Sequence, residues 1–182
     1  MSVWVWILLA VVAVLVVVVV MRQLAARKRT SELQDRFGPE YDRVATSADS
    51  KRDAEAELAE RAERRDELDI RPLPEASRER YIESWKAVQA RFVDDPRGAV
   101  TQADSLLQSV MRERGYPVDD DPDQRAADVS VDHPEVVQHY RDGHRLAETS
   151  DDDAAATENL REAMQHYRAL FEQLVEPDHA RI

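Results

Sequence analysis

Glutamate and histidine recur twice in this chain at one spacing. Glu135-Val-Val-Gln-His139-Tyr140-Arg141 is echoed by Glu162-Ala-Met-Gln-His166-Tyr167-Arg168, with carboxylate and imidazole four residues apart in both. On a helix that spacing stacks the two side chains on one face. If the two helices were antiparallel neighbours with those faces opposed, Glu135, His139, Glu162 and His166 could gather a divalent metal, as helical bundles do. The spacing departs from the di-iron bundle pattern, which sets Glu and His three apart and adds two inward glutamates. Val137, Tyr140, Met164 and Tyr167 mark the apolar stripes, and each histidine falls about 100° from its neighbouring tyrosine. A solvated flank that uses the same residues twice accounts for the echo, so the sequence asks for no cofactor.

Other chemistry is excluded more firmly. The chain has no cysteine, which removes disulfides, thiolate catalysis and zinc-thiolate sites. Its four glycines (Gly38, Gly98, Gly115, Gly143) are never closely spaced, so neither a phosphate-cradling loop nor a dinucleotide fingerprint exists. His144 continues the Val137 and Tyr140 stripe and reads as a half-buried structural residue, while His133, before Pro134, reads as part of a helix opening. The aspartates of residues 119–123 lack the glycine and closing glutamate of a calcium loop. No nucleophile elbow or HExxH motif is present. With 37 acidic against 25 basic side chains and a net charge of −12, binding of nucleic acid through a basic face is excluded as well.

The elements that position these residues begin with an apolar run. Residues 3–21 carry no charged or strongly polar side chain. At about 1.5 Å per residue the run reaches roughly 28 Å as a helix, close to the ~30 Å hydrocarbon core of a bilayer. Valine predominates, and its low helix propensity matters little where an unpaired backbone amide would cost more. Trp4 and Trp6 fall where amphipathic rings favour the headgroup level, and Arg22, Arg27, Lys28 and Arg29 follow the run. Because no Lys or Arg precedes it, the positive-inside rule puts the N-terminus outside and the body in the cytoplasm, at the inner membrane. The run is too long and lacks the charged n-region and small-x-small site of a cleaved signal, so an uncleaved anchor over residues 1–22 is expected. With only Ala10 and Ala13 small, the anchor has no small-xxx-small face.

Residues 23–70 read as a charged juxtamembrane linker helix. Phe37, Tyr41, Val44 and Ala48 form one stripe, interrupted at Gly38-Pro39, and from Lys51 to Leu68 only Leu58 and Leu68 are large and apolar. Such a helix suits a solvated spacer; as a coiled-coil arm it would give weak homo-oligomers. After the break at Arg71-Pro72-Leu73-Pro74, residues 71–177 read as a helical bundle domain, and residues 178–182 as a tail. Tyr81, Trp85, Val88 and Phe92 share one helix face. Asp95-Pro96 opens a second helix that Gly115 closes, Asp121-Pro122 opens a short one, and Asp132-His133-Pro134-Glu135 opens another. Residues 151–153 are acids placed before the last helix, whose stripe is Leu160, Met164, Tyr167, Phe171 and Leu174. The expected fold is all-α: one N-terminal transmembrane helix, a charged linker helix and a bundle of about four helices.

The stretches RFGPEYDR (residues 36–43), RFVDDP (91–96), RGYPV (114–118) and RAADVSVDHPEVVQHYR (125–141) resemble a family of uncharacterised bacterial proteins. Its members are single-pass, membrane-anchored helical proteins described as hypothetical or secreted. The resemblance covers most of the chain after the apolar run. It implies an anchored helical body and carries over no activity and no site residues. Two function classes follow. One is a membrane-tethered interaction or structural module without catalytic chemistry, whose partners are the bilayer and one or more proteins. The other is a metal-binding protein or enzyme with its site between the helices. A variant of the first puts the body on the envelope side of the membrane.

Overall fold

The computed structural model describes residues 3–119, 121–149 and 154–176, without the side chains of residues 3, 5, 7–10, 154 and 155. Eight helices and no strand make up these residues. They are α1 (Val3–Phe37), α2 (Pro39–Ser47), α3 (Lys51–Asp66), α4 (Glu75–Arg91), α5 (Pro96–Arg114), α6 (Pro122–Val129), α7 (Val137–Glu148) and α8 (Ala154–Val175). The all-α expectation holds.

Most helix ends follow the sequence signals. The Asp95 carboxylate accepts from the Gly98 amide at 2.9 Å, Asp121 accepts from the Asp123 amide at 2.9 Å, and Pro96 and Pro122 occupy the first helical positions. Gly115 closes α5 with φ of 100°, a conformation that side-chain-bearing residues rarely adopt, and a Cβ there would meet the Asp69 carbonyl oxygen at 2.3 Å. One signal is overruled. Asp132 does not cap α7, which starts five residues later without a side-chain cap. Its carboxylate is taken by Arg65 Nε at 2.8 Å and by the Tyr116 hydroxyl at 2.7 Å, and charge-assisted bonds outweigh a cap. The acids of residues 151–153 and the tail of residues 178–182 lie outside the described residues.

The main core is a bundle in which α8 packs against α7, α5 and α4. Tyr140, Tyr167, Leu107, Met111, Leu170 and Leu174 are among its fully buried side chains, each contributing about 1.5–3 kcal/mol by leaving water. Trp85 stacks on Phe171 with centroids 4.6 Å apart, which fixes α4 against α8. The last carbonyls of α8 are capped by cations from two other helices: Arg114 donates to Leu174 O and Arg78 to Val175 O, both at 3.0 Å.

The charged stretch expected to be a linker helix is built differently. The end of α1, with α2 and α3, encloses a second core of Leu33, Phe37, Tyr41, Val44, Ala54, Leu58 and Ala62, capped by Val131 from beyond α6. Helix α3 runs beside α1 in the same direction, with Thr30 donating to Glu55 at 2.6 Å at one end and Arg36 to Asp66 at 2.8 Å at the other. The physical reason is the spacing of Ala54, Leu58 and Ala62. Two alanines flanking one leucine make a narrow stripe that lets α3 approach closely, although large apolar residues alone suggest no stripe. The apolar face is therefore spent within the chain.

Among the described residues, no helix is long and apolar enough to cross a membrane. The unbroken run of described apolar side chains in α1, residues 11–21, amounts to about 16 Å of helix. The earlier part of the expected span lies largely outside the described side chains.

Candidate functional site

The two halves of the sequence echo do meet. Helices α7 and α8 form an antiparallel hairpin, and its close approach is made at Gly143, where a Cβ would lie 2.8 Å from two carbons of the Tyr167 ring. Tyr140 and Tyr167 face each other across the hairpin with centroids 6.0 Å apart. One residue to the side, His139 Nδ1 lies 2.8 Å from His166 Nδ1, and both rings are half-buried. The two glutamates do not join them. Glu162 is exposed on α8, and Glu135 is exposed in the turn before α7, where it faces Gly38. Among the described residues, no three His, Asp or Glu side chains are placed to hold a metal ion. The echo also divides at its end, because Arg141 reaches across to Glu40 while Arg168 pairs with Glu172 on its own helix.

The strongest electrostatic feature is centred on Glu40, which sequence reasoning passed over. Its carboxylate is 2% exposed and is held by three guanidiniums from three helices: Arg43 of α2, Arg61 of α3 and Arg141 of α7, each at 2.8 Å. Burial alone would raise this carboxyl, but the hydrogen bonds and charges of Arg43 and Arg141 hold it at about 2. Arg61 also pairs with Glu57, and Arg64 reaches the largely buried Asp128 at 3.7 Å. With Arg65 on Asp132, these contacts join the second core to the bundle through ion pairs. A signal was present: Glu40 lies three residues after Phe37 and four before Val44, on the buried stripe itself.

A second polar group is buried in the bundle. Arg125, 4% exposed, donates from Nε to the Tyr140 hydroxyl at 2.9 Å and also reaches the Asp119 carbonyl. Burial and the charge of Asp104 push the Tyr140 phenol up to about 12. His144, as expected, is half-buried beside Tyr140 and contacts Glu148 at 3.4 Å.

Three surface depressions accompany these groups. A cleft of about 280 Å³ is lined by Asp123, Tyr140, Arg141, His144, Arg145 and Glu148. Another, about 240 Å³, lies on the other side of Asp123 against Arg61 and Arg64. Both mix charges of the two signs and present no nucleophile next to a base. A more apolar groove of about 360 Å³ runs between α4 and α8, with Ile82, Trp85, Phe171 and Val175 in it and Lys86, Arg168 and Glu172 at its edge. The buried indole N–H of Trp85 has no acceptor there.

On α1, Trp4 and Trp6 are 78% and 62% exposed, and Arg22, Arg27, Lys28 and Arg29 are all exposed. At 100° per residue these four cations spread around the helix rather than along one side. From Val11 to Met21 the large apolar side chains are between 45 and 66% exposed, with nothing among the described residues covering them. The chain matches no protein-family model, no curated protein and no solved structure.

Proposed function

We propose that the chain is a membrane-tethered structural or interaction module: the first part of α1 spans the inner membrane, and the helical body works at its cytoplasmic face. The observation that carries this reading is the uncovered apolar surface of α1, which is larger and more continuous than a soluble surface tolerates without a partner phase. Residues 3–10 complete the run to a span's length in sequence. The ring of cations after it suits anionic headgroups on all sides of a helix, and their position after the run orients the body inward. Because α1 is one helix from the run to Phe37, with Leu33 and Phe37 buried in the second core, the body is coupled rigidly to the anchor. The clefts offer no catalytic constellation in support of an enzyme, so the body's surface is the working part.

The test uses the absence of native cysteine. Val93, 83% exposed in the turn between α4 and α5, is replaced by cysteine in the full chain, and intact and lysed bacterial cells are treated with an impermeant maleimide. The expected result is a protein that stays in the membrane fraction through an alkaline wash and is labelled only after lysis. Labelling of intact cells would put the body on the envelope side, and release by the wash would remove the anchor altogether.

A further inference from the structure

We propose that the turn between α2 and α3, with Lys51 and Arg52, is a second docking surface for anionic phospholipid headgroups, which sets the rotation of the body against the bilayer. Such a surface rests on the membrane span proposed above, but the tertiary fold builds it, since only the packing of α3 brings these two cations to the membrane end of the body. Thr30 of α1 donates to Glu55 of α3 at 2.6 Å, and α3 runs in the same direction as α1. Lys51 lies one helical turn before Glu55 and reaches the same carboxylate at 3.6 Å. It is therefore about level with Ala26 of α1, roughly 8 Å of helix beyond Met21, the last residue of the apolar run. The headgroup layer is about 5–7 Å deep on each side of the hydrocarbon, and long Lys and Arg stems carry their charges into it from that height.

The turn is held from behind and open in front. Val44, Ala54 and Leu58 on either side of it are buried in the second core, which fixes its place beside α1, while Ser47, Lys51 and Arg52 are exposed. The contact of Lys51 with Glu55 is a surface pair, with the lysine side chain 64% exposed, and such a pair yields readily to another anion. The acids at this end are Glu32, paired with Lys28 at 3.5 Å, and Asp49, Asp53 and Glu55. They are outnumbered by Arg22, Arg27, Lys28, Arg29, Lys51 and Arg52, so the end of the body next to the run is basic in a chain of net charge −12. The four cations on α1 surround the helix and draw headgroups from every side, which leaves the body free to lean in any direction. Lys51 and Arg52 stand on one side only, where α3 carries them, and favour a single lean. Each cation near an anionic surface favours contact by about fivefold, and the two together by about thirtyfold.

The full chain is reconstituted in vesicles of phosphatidylcholine, alone or mixed with phosphatidylglycerol. A nitroxide is attached at Ser47→Cys, Val16→Cys or Val93→Cys, one position at a time in a chain without native cysteine, and its collisions with an uncharged nickel chelate in the water are measured. The Ser47 label is expected to be shielded in the anionic vesicles and open in the zwitterionic ones, with Val16 shielded and Val93 open in both. Shielding at Ser47 is expected to disappear when Lys51→Gln and Arg52→Gln are combined, and in about 1 M salt, where the Debye length falls to about 3 Å. A Ser47 label equally open in both lipids, with Val16 shielded, would overturn the docking surface and leave the span. Shielding that survives the double substitution would take the role from Lys51 and Arg52, and a Val16 label open to the chelate would remove the span and the surface with it.

Discussion

Glu40 shows how one residue can govern the joint between two cores. Its carboxyl sits at about 2 in the folded chain, below its ordinary value of 4.5, so the unfolded chain takes up the proton first as pH falls. The stabilisation is complete above about pH 5, amounts to about 3 kcal/mol, and drains away toward pH 2. Glu40→Gln is expected to lower unfolding free energy by about 2–3 kcal/mol at pH 7, with the gap to wild type closing as pH falls through that window. Urea denaturation of both proteins between pH 7 and pH 3 checks this; a gap independent of pH would mean that the ion pairs do not supply the stability. The position of Glu40 on the Phe37–Val44 stripe was legible in the sequence. Two of its three partners were not, because Arg61 and Arg141 lie 21 and 101 residues away and nothing local selects them from the other arginines.

At the scale of the helix, α7 and α8 depend on one missing side chain. A methyl group at Gly143 would meet the Tyr167 ring at 2.8 Å, and that ring is buried beside Tyr140, with centroids 6.0 Å apart. Gly143→Ala gains up to about 1 kcal/mol of helix propensity but overpacks the hairpin, so a net loss of about 1–2 kcal/mol is expected. Thermal unfolding followed by circular dichroism reads the sign: a higher melting temperature would show that the hairpin can open at no cost. The apolar stripes that make these helices were plain in the sequence at Val137, Tyr140, Met164 and Tyr167. Their pairing depended on a glycine that local propensity counts only as a weakness, and the close contact of His139 with His166 followed from that pairing.

For the molecule as a whole, two cores of unequal size are joined by ion pairs. Leu58 is fully buried at the centre of the smaller one, and Leu58→Ala is expected to cost about 2–5 kcal/mol. The loss should be local, since few apolar side chains bridge the two cores. Hydrogen exchange is expected to quicken in α2 and α3 while α5 and α8 keep their protection. Uniform loss of protection across all helices would show that the cores unfold as one unit. If α1 enters a membrane as proposed, the smaller core lies between the bilayer and the bundle, where displacement of α1 would reach the Glu40 joint before it reached α8.

Helix type, most helix ends and the apolar run of α1 were decided by local sequence: the periodicity of apolar residues, the Asp-Pro openings and the left-handed Gly115 act within a few positions of themselves. Interactions that join distant segments were decided only by the folded chain. Ala54, Leu58 and Ala62 form a packing face only once Phe37, Tyr41 and Val44 are there to cover it, and Asp132 gives up its role as a cap because Arg65 and Tyr116 reach it. The glutamates and histidines of the echo, identical in spacing along the chain, were separated by the fold: the antiparallel helices bring the imidazoles together, while Glu135 stays in the turn before α7, beside Gly38. A helix fixes which residues share its face, but the direction and approach of its neighbour fix which of those faces meet.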